Sequence, residues 1–348
     1  MQKMGEKILV GISGGVDSTL SALRLKDQGY DVTAVHLVMK DSQDELDKAR
    51  MTALEQIYGI AVRYRDCRQR FDEKVIQPFL EAYREGATPN PCVICNECVK
   101  IWGLMEEADR LGIEKVATGH YARTVSVPGG WAIARARSKK DQSYMLYRLP
   151  PEWIARLVFP LHDDEKDHVR DETAARLHSA ELSKGDSQDI CFLGQQSLER
   201  FLRGRLGSGE LPPGPMVSVE GRVLGGHRGL ALYTEGQRKG LGLSDGPWFV
   251  REKDRPGNRL VLEHGCESGV RRILFGKANW QQSVKIGEIY NVQYRYRCAP
   301  VSANLVRYSD GAGEAELLLP AGGVALGQSL VFYDGDVLLG GGIITSAQ

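Results

Sequence analysis

The chain has 348 residues, of which 42% are hydrophobic, so it is long enough for two or three globular domains with sizeable cores. Basic and acidic side chains number 45 each, and the formal net charge of +0 excludes a histone-like protein or one with a dominant acidic tail. No apolar run is long enough to cross a membrane, and the polar start of the chain is not that of a signal peptide. We therefore expect a cytoplasmic protein without membrane contact, whose seven cysteines serve catalysis, metal binding or packing rather than disulfides.

Residues 1–196 alternate between two kinds of pattern. Short apolar runs bounded by turn residues predict strands, and apolar residues at helical spacing predict helices. In chain order the predicted elements are strand 7–12, helix 18–28, strand 32–38, helix 44–58, strand 60–64, helix 100–111 and strand 115–118. Strands that alternate with helices favour the α/β class, with a doubly wound parallel sheet covered on both faces.

Two further segments differ in composition. Residues 197–272 are rich in glycine, proline and basic side chains, which indicates a small, irregular linking domain. Residues 273–348 hold β-branched runs separated by Gly and Asp turns, which is typical of a β-barrel or a sandwich. Tyr333-Asp334-Gly335-Asp336 is a clear hairpin signal. We expect a barrel in this last segment.

Positive charge is concentrated in the middle of the chain. Residues 121–300 carry a net charge of +7, whereas residues 1–120 and 301–348 carry −3 and −4. Clustered cations suit a polyanion such as a nucleic acid, although a solvated protein surface gives the same sequence pattern.

The strongest motif follows the first predicted strand, where the glycine-rich loop SGGVDS leads directly into a helix. Small residues let the backbone approach a phosphate, whose charge is stabilised by successive N–H groups and the helix N-terminus. The serine hydroxyls can donate hydrogen bonds, and the aspartate can hold Mg²⁺. The predicted nucleotide-binding residues are Gly11, Ile12, Ser13, Gly14, Gly15, Val16, Asp17 and Ser18.

Cysteines form the second candidate site. Cys92 and Cys95 lie in the segment TPNPCVICN, and Cys191 lies far along the chain in SQDICF. We expect Cys95 near a helix N-terminus, where the partial positive charge lowers the pKa of a thiol. Two alternatives stay open at this point: Cys191 can be an ordinary core cysteine, and Cys92 with Cys95 can be half of a structural zinc site.

The loop resembles the PP-loop of the ATP pyrophosphatases, and nearly the whole chain resembles bacterial tRNA-specific 2-thiouridylases of the MnmA type. The motifs that carry this resemblance are SGGVDS at 13–18, TPNPCVICN at 88–96, ATGHYAR at 117–123, KDQSYML at 140–146, SQDICF at 187–192, GQRKGLG at 236–242 and GQSLVFYDGDVLLGGGII at 327–344. The resemblance implies a PP-loop catalytic domain at 1–196, a central tRNA-binding domain at 197–272 and a C-terminal β-barrel at 273–348.

The resemblance also implies an ATP-dependent sulfur transfer to the anticodon loop of tRNA. ATP would adenylate the carbon-2 carbonyl oxygen of the wobble uridine in tRNAs for Lys, Glu and Gln. Cys191 would carry a persulfide received from a cysteine desulfurase or a carrier protein. Cys95 would be the partner thiol, which either attacks the activated carbon or breaks the sulfur–sulfur bond and frees hydrosulfide.

Further roles follow from the resemblance, position by position. Leu37 and Gly119 would contact the adenosine of ATP. Asn90, Pro91 and Cys92 would contact the target base, which must leave its stack to reach this loop. The implied tRNA contacts are His120, Lys140, Asp141, Gln142, Arg295, Tyr296 and Gln328.

One position departs from the resemblance, because many members of the family carry Asp where this chain has Cys92. Three thiols, those of Cys92, Cys95 and Cys191, could then ligate a [4Fe–4S] cluster that carries hydrosulfide. Two other functions remain as alternatives: a PP-loop synthetase that adenylates a small molecule, and a non-catalytic RNA-binding relative.

Overall fold

The computed structural model describes residues 5–41, 45–177, 190–265 and 269–348. Its strands are β1 Lys7–Gly11, β2 Asp31–Val38, β3 Val62–Asp66, β4 Lys115–Ala117, β5 Ala122–Val127, β6 Gly130–Arg135, β7 Leu157–Val158, β8 Gly214–Ser218, β9 Val223–His227, β10 Trp248–Asp254, β11 Arg259–His264, β12 Val270–Trp280, β13 Ile289–Gln293, β14 Val301–Ser309, β15 Ala312–Ala321, β16 Ser329–Asp334 and β17 Val337–Ala347. Its α-helices are α1 Val16–Asp27, α2 Glu45–Tyr58, α3 Arg68–Phe71, α4 Gln77–Arg84, α5 Pro91–Cys95, α6 Trp102–Leu111, α7 Pro151–Ile154, α8 Lys166–Arg176 and α9 Leu198–Leu206.

The chain forms two compact units. The first comprises Met1–Val75, Cys92–Phe192 and Asp336–Leu339, and the second comprises Ile76–Pro91, Leu193–Gly335 and Gly340–Gln348. Within the residues that the structure describes, no helix is both long and apolar enough to span a membrane.

The first unit is built on a five-stranded parallel sheet of order β3-β2-β1-β4-β7. The central strand β1 is apolar and fully buried at Ile8, Leu9 and Val10, as a strand covered on both faces requires. Its side chains share a core with α1 and α2, which contribute Leu23 and Leu54. The predicted α/β class with a parallel sheet is confirmed.

One helical segment, which belongs to this unit from Cys92 onward, starts earlier than the sequence predicts. Helix α5 begins at Pro91, a residue whose fixed φ suits the first turn, and the chain stays helical through α6 to Gly112. Gly112 ends the segment in the left-handed conformation, at φ 64°. A π-helical turn, Asn96–Ile101, joins α5 to α6. Residues 68–84, for which no element is predicted above, are also helical and include a second π turn, Asp72–Ile76.

The second unit contains a four-stranded sheet of order β10-β11-β8-β9. The irregular structure expected for residues 197–272 is therefore wrong for most of this segment. Its glycines permit close strand packing here: a Cβ at Gly214 would lie 2.3 Å from the carbonyl oxygen of Asn258. Trp248, Leu260 and Leu262 build a core under this sheet.

The C-terminal strands form a closed barrel, as expected. Six strands follow one another in the order β12-β15-β14-β13-β16-β17, and β17 pairs back with β12. Closure leaves no free edge along this ring. The predicted hairpin turn joins β16 to β17 at Gly335, whose φ is 54°. Of the β-branched run at residues 284–297, only Ile289–Gln293 is a strand.

Candidate active site

The glycine-rich loop lies between the C-terminal end of central strand β1 and the start of α1, the position where parallel sheets bind ligands. Its two serine hydroxyl groups form hydrogen bonds within the loop. The Ser18 hydroxyl accepts from the backbone N–H of Ser13 at 3.2 Å and lies 3.1 Å from the Ser13 hydroxyl. The backbone N–H of Gly15 donates to Ser13 Oγ at 3.1 Å. These hydroxyl and N–H groups form hydrogen bonds with one another. They are also donors from which a phosphate oxygen can accept a hydrogen bond.

An arginine that the sequence analysis missed supports this loop from α2. Arg50 is 1% exposed, donates to the carbonyl oxygen of Gly14 at 2.7 Å and pairs with Asp47 at 3.1 Å. Gly14 has a φ of 85°, and a Cβ there would meet Asp47 at 2.4 Å. Only glycine therefore fits this point of the loop. No local sequence motif marks Arg50, because it contacts the loop only once the chain has folded.

Three side chains converge on Asp17. Lys166, the first residue of α8, lies 2.6 Å from its carboxylate, Lys140 lies 3.5 Å away, and the Tyr121 hydroxyl donates to it at 2.8 Å. Lys140, which the resemblance places at tRNA, thus lies beside the glycine-rich loop. Lys166 and Tyr121 were not predicted from the sequence. Two ammonium groups at the glycine-rich loop are donors that could each pair with a phosphate oxygen.

Two other residues of the KDQ motif hold their own loop together. The side chain of Gln142 accepts from the backbone N–H of Tyr121 at 3.0 Å. Asp141 accepts from the backbone N–H of Ala136 at 2.9 Å and from the Ser143 hydroxyl at 2.8 Å. Both residues therefore fix the segment that presents Lys140. Their predicted contacts with tRNA stay predictions.

Gly119 brings the ATGH segment against the glycine-rich loop. A Cβ at Gly119 would lie 2.8 Å from the backbone nitrogen of Ser18, so the two segments touch because residue 119 has no side chain. The next residue, His120, shares a hydrogen bond of 2.9 Å with Thr118 Oγ1. Burial, together with the nearby charge of Lys100, lowers the pKa of His120 to about 3. His120 is therefore neutral at physiological pH.

Leu37, the other residue expected near the adenosine, lies in β2 and is 8% exposed. Its side chain packs toward Gly103 of α6, where an added Cβ would lie 3.2 Å from it. Leu37 thus contributes an apolar surface within the first unit. No hydrogen-bonding group is available on this side chain, so any contact with a nucleotide is one of packing.

The predicted thiols belong to the same unit. Cys95 is 4% exposed, Cys92 is partly buried, and Cys191 is exposed. Cys191 interacts electrostatically with both Cys92 and Cys95. The structure therefore brings together two segments that lie almost 100 residues apart in sequence. Ser187, Gln188 and Asp189 of the SQDICF motif lie outside the described residues.

The expected lowering of the Cys95 pKa is wrong. Burial raises the pKa of this thiol to about 12, and the positive charge of Lys100 offsets that effect only in part. Burial also raises the pKa of Cys92. The physical reason is that a thiolate loses its hydration here, while the chain continues as a helix beyond Cys95 instead of presenting free N–H groups to it. Lys100, which opposes the rise, was not predicted as part of the site.

Among the residues that the structure describes, no group of three or more His, Cys, Asp or Glu side chains is placed to hold a metal ion. The [4Fe–4S] cluster expected on Cys92, Cys95 and Cys191 is therefore not shown by the described residues and stays a prediction. No further ligands for a zinc site at Cys92 and Cys95 are found among the described residues either.

The remaining predicted contacts lie in the second unit. Gln328 donates to the carbonyl oxygen of Thr88 at 2.7 Å and so fixes the loop that leads to Asn90 and Pro91. Lys253 is buried and donates to the Thr88 hydroxyl at 3.4 Å. These contacts anchor the start of the TPNPC segment on the barrel and on the four-stranded sheet.

A basic cavity contains Arg295. The cavity is lined by Arg295 and by residues 234–239, which include Arg238 and Lys239. Tyr296 lies next to it in sequence, and the guanidinium of Arg297 sits 5.2 Å from the Tyr296 ring. Three cations around one cavity, with an aromatic side chain beside them in sequence, are suited to phosphate and base contacts with RNA. Arg238 and Lys239 belong to the GQRKGLG motif, to which no role is assigned above.

Comparison with known proteins decides the family. Residues 6–195 match the family described as "tRNA methyl transferase HUP domain", residues 199–264 match "tRNA methyl transferase PRC-barrel domain", and residues 270–344 match "Aminomethyltransferase beta-barrel domain". The tRNA-specific 2-thiouridylase MnmA of Thiobacillus denitrificans is 37% identical over 98% of this chain and 100% of its own length. The chain belongs to the MnmA family.

Other MnmA proteins agree with this assignment. That of Chloroflexus aggregans is 39% identical over 98% of this chain and 99% of its own length. A solved 4-thiouridine synthetase–RNA complex with bound ATP is 15% identical, covers 57% of this chain and 49% of that one, and superposes with a TM-score of only 0.36. Membership in the MnmA family confirms the resemblance drawn from the motifs.

Proposed function

We propose that this protein is a tRNA 2-thiouridylase, a transferase that uses ATP to replace the carbon-2 oxygen of the wobble uridine by sulfur. One observation carries the proposal: in a chain of the MnmA family, the glycine-rich loop touches Gly119, and Cys95 with Cys191 belongs to the same unit as that loop. The proposed substrates are tRNAs for Lys, Glu and Gln. The compartment that holds them, the cytoplasm, is the proposed location.

The loop would bind the triphosphate. Ser13, Ser18 and the N-terminal N–H groups of α1 would exchange their internal hydrogen bonds for bonds to phosphate oxygens. Lys140 and Lys166 would neutralise part of the phosphate charge. The carboxylate of Asp17 is the hard oxygen donor that Mg²⁺ prefers, and it fits this role once the two ammonium groups turn to phosphate.

A sulfur relay needs one thiol that a donor protein can reach and a second thiol that is shielded from water. The thiols of Cys191 and Cys95 differ in this way. Cys191 is exposed, so a cysteine desulfurase or a carrier protein can reach it and leave a persulfide there. Cys95 is buried, in a place from which bulk water is largely removed. If Cys95 breaks the persulfide, its sulfur bonds to the Cys191 sulfur and hydrosulfide leaves. Hydrosulfide then displaces AMP from carbon 2, and an external thiol must reduce the disulfide.

The same groups permit a second order of steps. Cys95 can instead attack the adenylated carbon and release AMP, forming a covalent bond to the base. The terminal sulfur of the Cys191 persulfide then displaces the Cys95 thiolate from carbon 2. That thiolate breaks the sulfur–sulfur bond, which leaves 2-thiouridine and a Cys95–Cys191 disulfide for an external thiol to reduce. Asn90, which precedes α5, and Pro91 and Cys92, which begin it, would contact the extruded base in either order. His120 is neutral and can take part only as a hydrogen-bonding group.

The basic cavity of the second unit would bind the RNA backbone. Arg295, Arg238 and Lys239 line it, and Tyr296 follows Arg295 in the chain. Contacts of this kind position an RNA without reading its sequence. We also propose the division into domains at residues 196 and 272, with the middle domain taking part in binding tRNA.

The proposal is tested by reconstitution. Purified protein, unmodified tRNA, ATP, Mg²⁺ and a persulfide donor are combined, and the nucleosides of the tRNA are analysed by mass spectrometry. We expect 2-thiouridine at the wobble position, and its loss in Cys95→Ser and in Cys191→Ser. Cys298→Ser, which changes a half-buried thiol of the second unit, is the matched control and retains activity.

The alternatives predict other results. A small-molecule synthetase would exchange pyrophosphate with ATP without tRNA, and a non-catalytic relative would bind tRNA without forming 2-thiouridine. Full thiolation by Cys95→Ser would disprove the assignment of that thiol. Full thiolation by protein with no bound iron would exclude a cluster, for which the described residues offer no ligand set.

A further inference from the structure

An arginine-rich cavity in the first unit has no role in the site described above. Its volume is about 490 Å³, and it is lined by residues 65–70, Glu73 and Trp102. All of these residues belong to the first unit. A cavity of this size is within the range that binds small ligands or single groups of larger ones.

The cavity lies at the same edge of the parallel sheet as the glycine-rich loop. Strands β1, β2 and β3 are parallel neighbours, so their carboxyl ends share one edge, where such sheets bind ligands. The loop follows the end of β1, and the cavity begins at the end of β3, two strand spacings of about 4.8 Å away. Phe71 of α3 also contacts Phe192, the residue after Cys191, with ring centroids 5.9 Å apart. The cavity is therefore a neighbour of the candidate active site.

Two arginines contact one indole ring in this cavity. The guanidinium of Arg70 lies 3.5 Å from the centre of the Trp102 ring, and that of Arg65 lies 5.0 Å from it. Trp102 is only half-buried, so part of its ring is exposed. An exposed aromatic ring beside arginines offers a base a surface to stack on and offers a phosphate donors to pair with.

The guanidinium groups of Arg70 and Arg65 are not saturated by acidic partners. Arg70 donates through Nε to the carbonyl oxygen of Cys98, and no carboxylate among the described residues pairs with it. The carboxylates nearest to Arg65 are those of Glu107 at 3.7 Å and Glu106 at 3.9 Å, which is beyond hydrogen-bonding distance. Both arginines can therefore donate to a further anion.

The acidic side chains of the cavity are engaged by other partners. Arg68 binds both oxygens of the Asp66 carboxylate, with a closest contact of 2.6 Å. Glu73 accepts from the amide of Gln69 at 2.8 Å. Three arginines and two carboxylates thus line the cavity, and the excess charge is positive. This charge favours a phosphate group as the ligand.

We propose that this cavity binds the nucleotide next to the target base, with its base against Trp102 and its phosphate on Arg70 and Arg65. This inference rests on the proposed function and adds a subsite to it. A base that leaves its stack to reach the sheet edge brings its neighbours to the same edge, because the RNA backbone is continuous. The indole ring favours RNA over an acidic protein segment, since a base can stack on it and a carboxylate cannot.

The test measures the binding of unmodified tRNA to the full-length protein by fluorescence anisotropy at several salt concentrations. The tRNA is either intact or carries one abasic nucleotide, directly before or directly after the wobble uridine. The variants are Trp102→Leu, Trp102→Phe and Arg70→Met. Arg63→Met is the matched control, because Arg63 is an exposed arginine of β3 that does not line the cavity.

We expect Trp102→Leu to weaken the binding of intact tRNA about tenfold, and Trp102→Phe, which keeps a ring, to weaken it about threefold. One of the two abasic tRNAs should bind the wild type about tenfold more weakly than intact tRNA. The same abasic tRNA should lose less than about twofold on Trp102→Leu, because the stacking partner is already absent.

The phosphate contact has a separate signature in the salt dependence. Arg70→Met should weaken tRNA binding several-fold and reduce the slope of log K against log salt by about 0.7, the value for one phosphate contact with a single strand. Trp102→Leu should leave this slope unchanged, because stacking releases no counterions. Arg63→Met should change neither the affinity nor the slope.

Three results would overturn the inference. The first is wild-type affinity for intact tRNA in both Trp102→Leu and Arg70→Met. The second is an equal loss for each abasic tRNA on the wild type and on Trp102→Leu. The third is unchanged tRNA binding with slower transfer of sulfur from a persulfide donor to Cys191, which would assign the cavity to the donor protein instead.

Two further outcomes are separated by design. Should Trp102→Leu lose its cooperative unfolding, Arg70→Met decides the result through the salt slope, since it changes a partly exposed side chain. A wild-type protein that shows the coupling between Trp102 and the flanking base but forms no 2-thiouridine would disprove the proposed function and leave the RNA subsite in place.

Discussion

Replacement of Lys166 by methionine should weaken the binding of ATP. Lys166 begins α8, its side chain is 13% exposed, and its ammonium group lies 2.6 Å from the Asp17 carboxylate in the glycine-rich loop. Methionine keeps most of the apolar length of the side chain and removes the charge. Asp17 still has Lys140 and Tyr121 as partners, so the loop should keep its structure.

The expected loss of ATP affinity follows from the kind of contact that Lys166 would make with phosphate. A hydrogen bond to a charged group contributes about 1.5–3 kcal/mol when it is partly buried. Each 1.4 kcal/mol is a factor of about ten in affinity, so the dissociation constant for ATP should rise about 10- to 150-fold. Because the lost contact is assigned to the triphosphate, whose two outer phosphates AMP lacks, AMP should lose much less affinity than ATP.

Isothermal titration calorimetry with Mg²⁺ and a non-hydrolysable ATP analogue measures this difference. Lys139→Met is the matched control, since Lys139 is an exposed lysine next to Lys140 and makes no contact with Asp17 among the described residues. A folded Lys166→Met protein that binds the analogue within twofold of the wild type would refute the assignment of Lys166 to the phosphates.

Three other expectations follow from the structure. Gly119→Ala places a methyl group 2.8 Å from loop backbone, so we expect ATP binding at least tenfold weaker by calorimetry, and unchanged affinity would contradict the contact. Arg24 lowers the pKa of Asp164 and of Glu172 through hydrogen bonds, so its pairs stabilise the fold at neutral pH and are lost as the pH falls below the ordinary carboxyl values. Arg24→Met should cost about 2–3 kcal/mol in urea unfolding at pH 7 and less near pH 3.5, and a constant difference would count against the pairs. Burial lowers the pKa of His120 to about 3, so protonation favours the unfolded chain and stability should fall as the pH drops below about 6.5. His120→Gln should reduce that fall between pH 7 and 5, whereas an imidazole that titrates near pH 6.5 by NMR would show that the group is hydrated.

Local patterns were enough to predict much of the first unit. The loop at residues 13–18, the strand before it and the helix after it depend on neighbouring residues, and each lies where the pattern indicates. The barrel was also predictable, because alternation and glycine turns are local signals. The sheet in residues 214–264 was missed, since its glycines serve strand packing instead of chain flexibility.

The ionisation of Cys95 shows the limit of this reasoning. Its place after two prolines suggested a thiol activated by a helix N-terminus. The pKa instead rises, because residues from other segments cover the sulfur and exclude water. Burial of a single side chain is a property of the packed protein, so no spacing of residues in the motif could have revealed it.

The amino-acid sequence by itself determined the family, and it located the glycine-rich loop and the two cysteines of the proposed site, because these depend on short runs of residues whose chemistry is visible in the chain. Only the tertiary structure decided which charged side chains contact the glycine-rich loop. Arg50 reaches Gly14, and Lys166 reaches Asp17. Such pairings arise when segments that are distant in sequence pack together and exclude water. Electrostatic interactions between charged groups are stronger there than in water, because the local dielectric constant is lower.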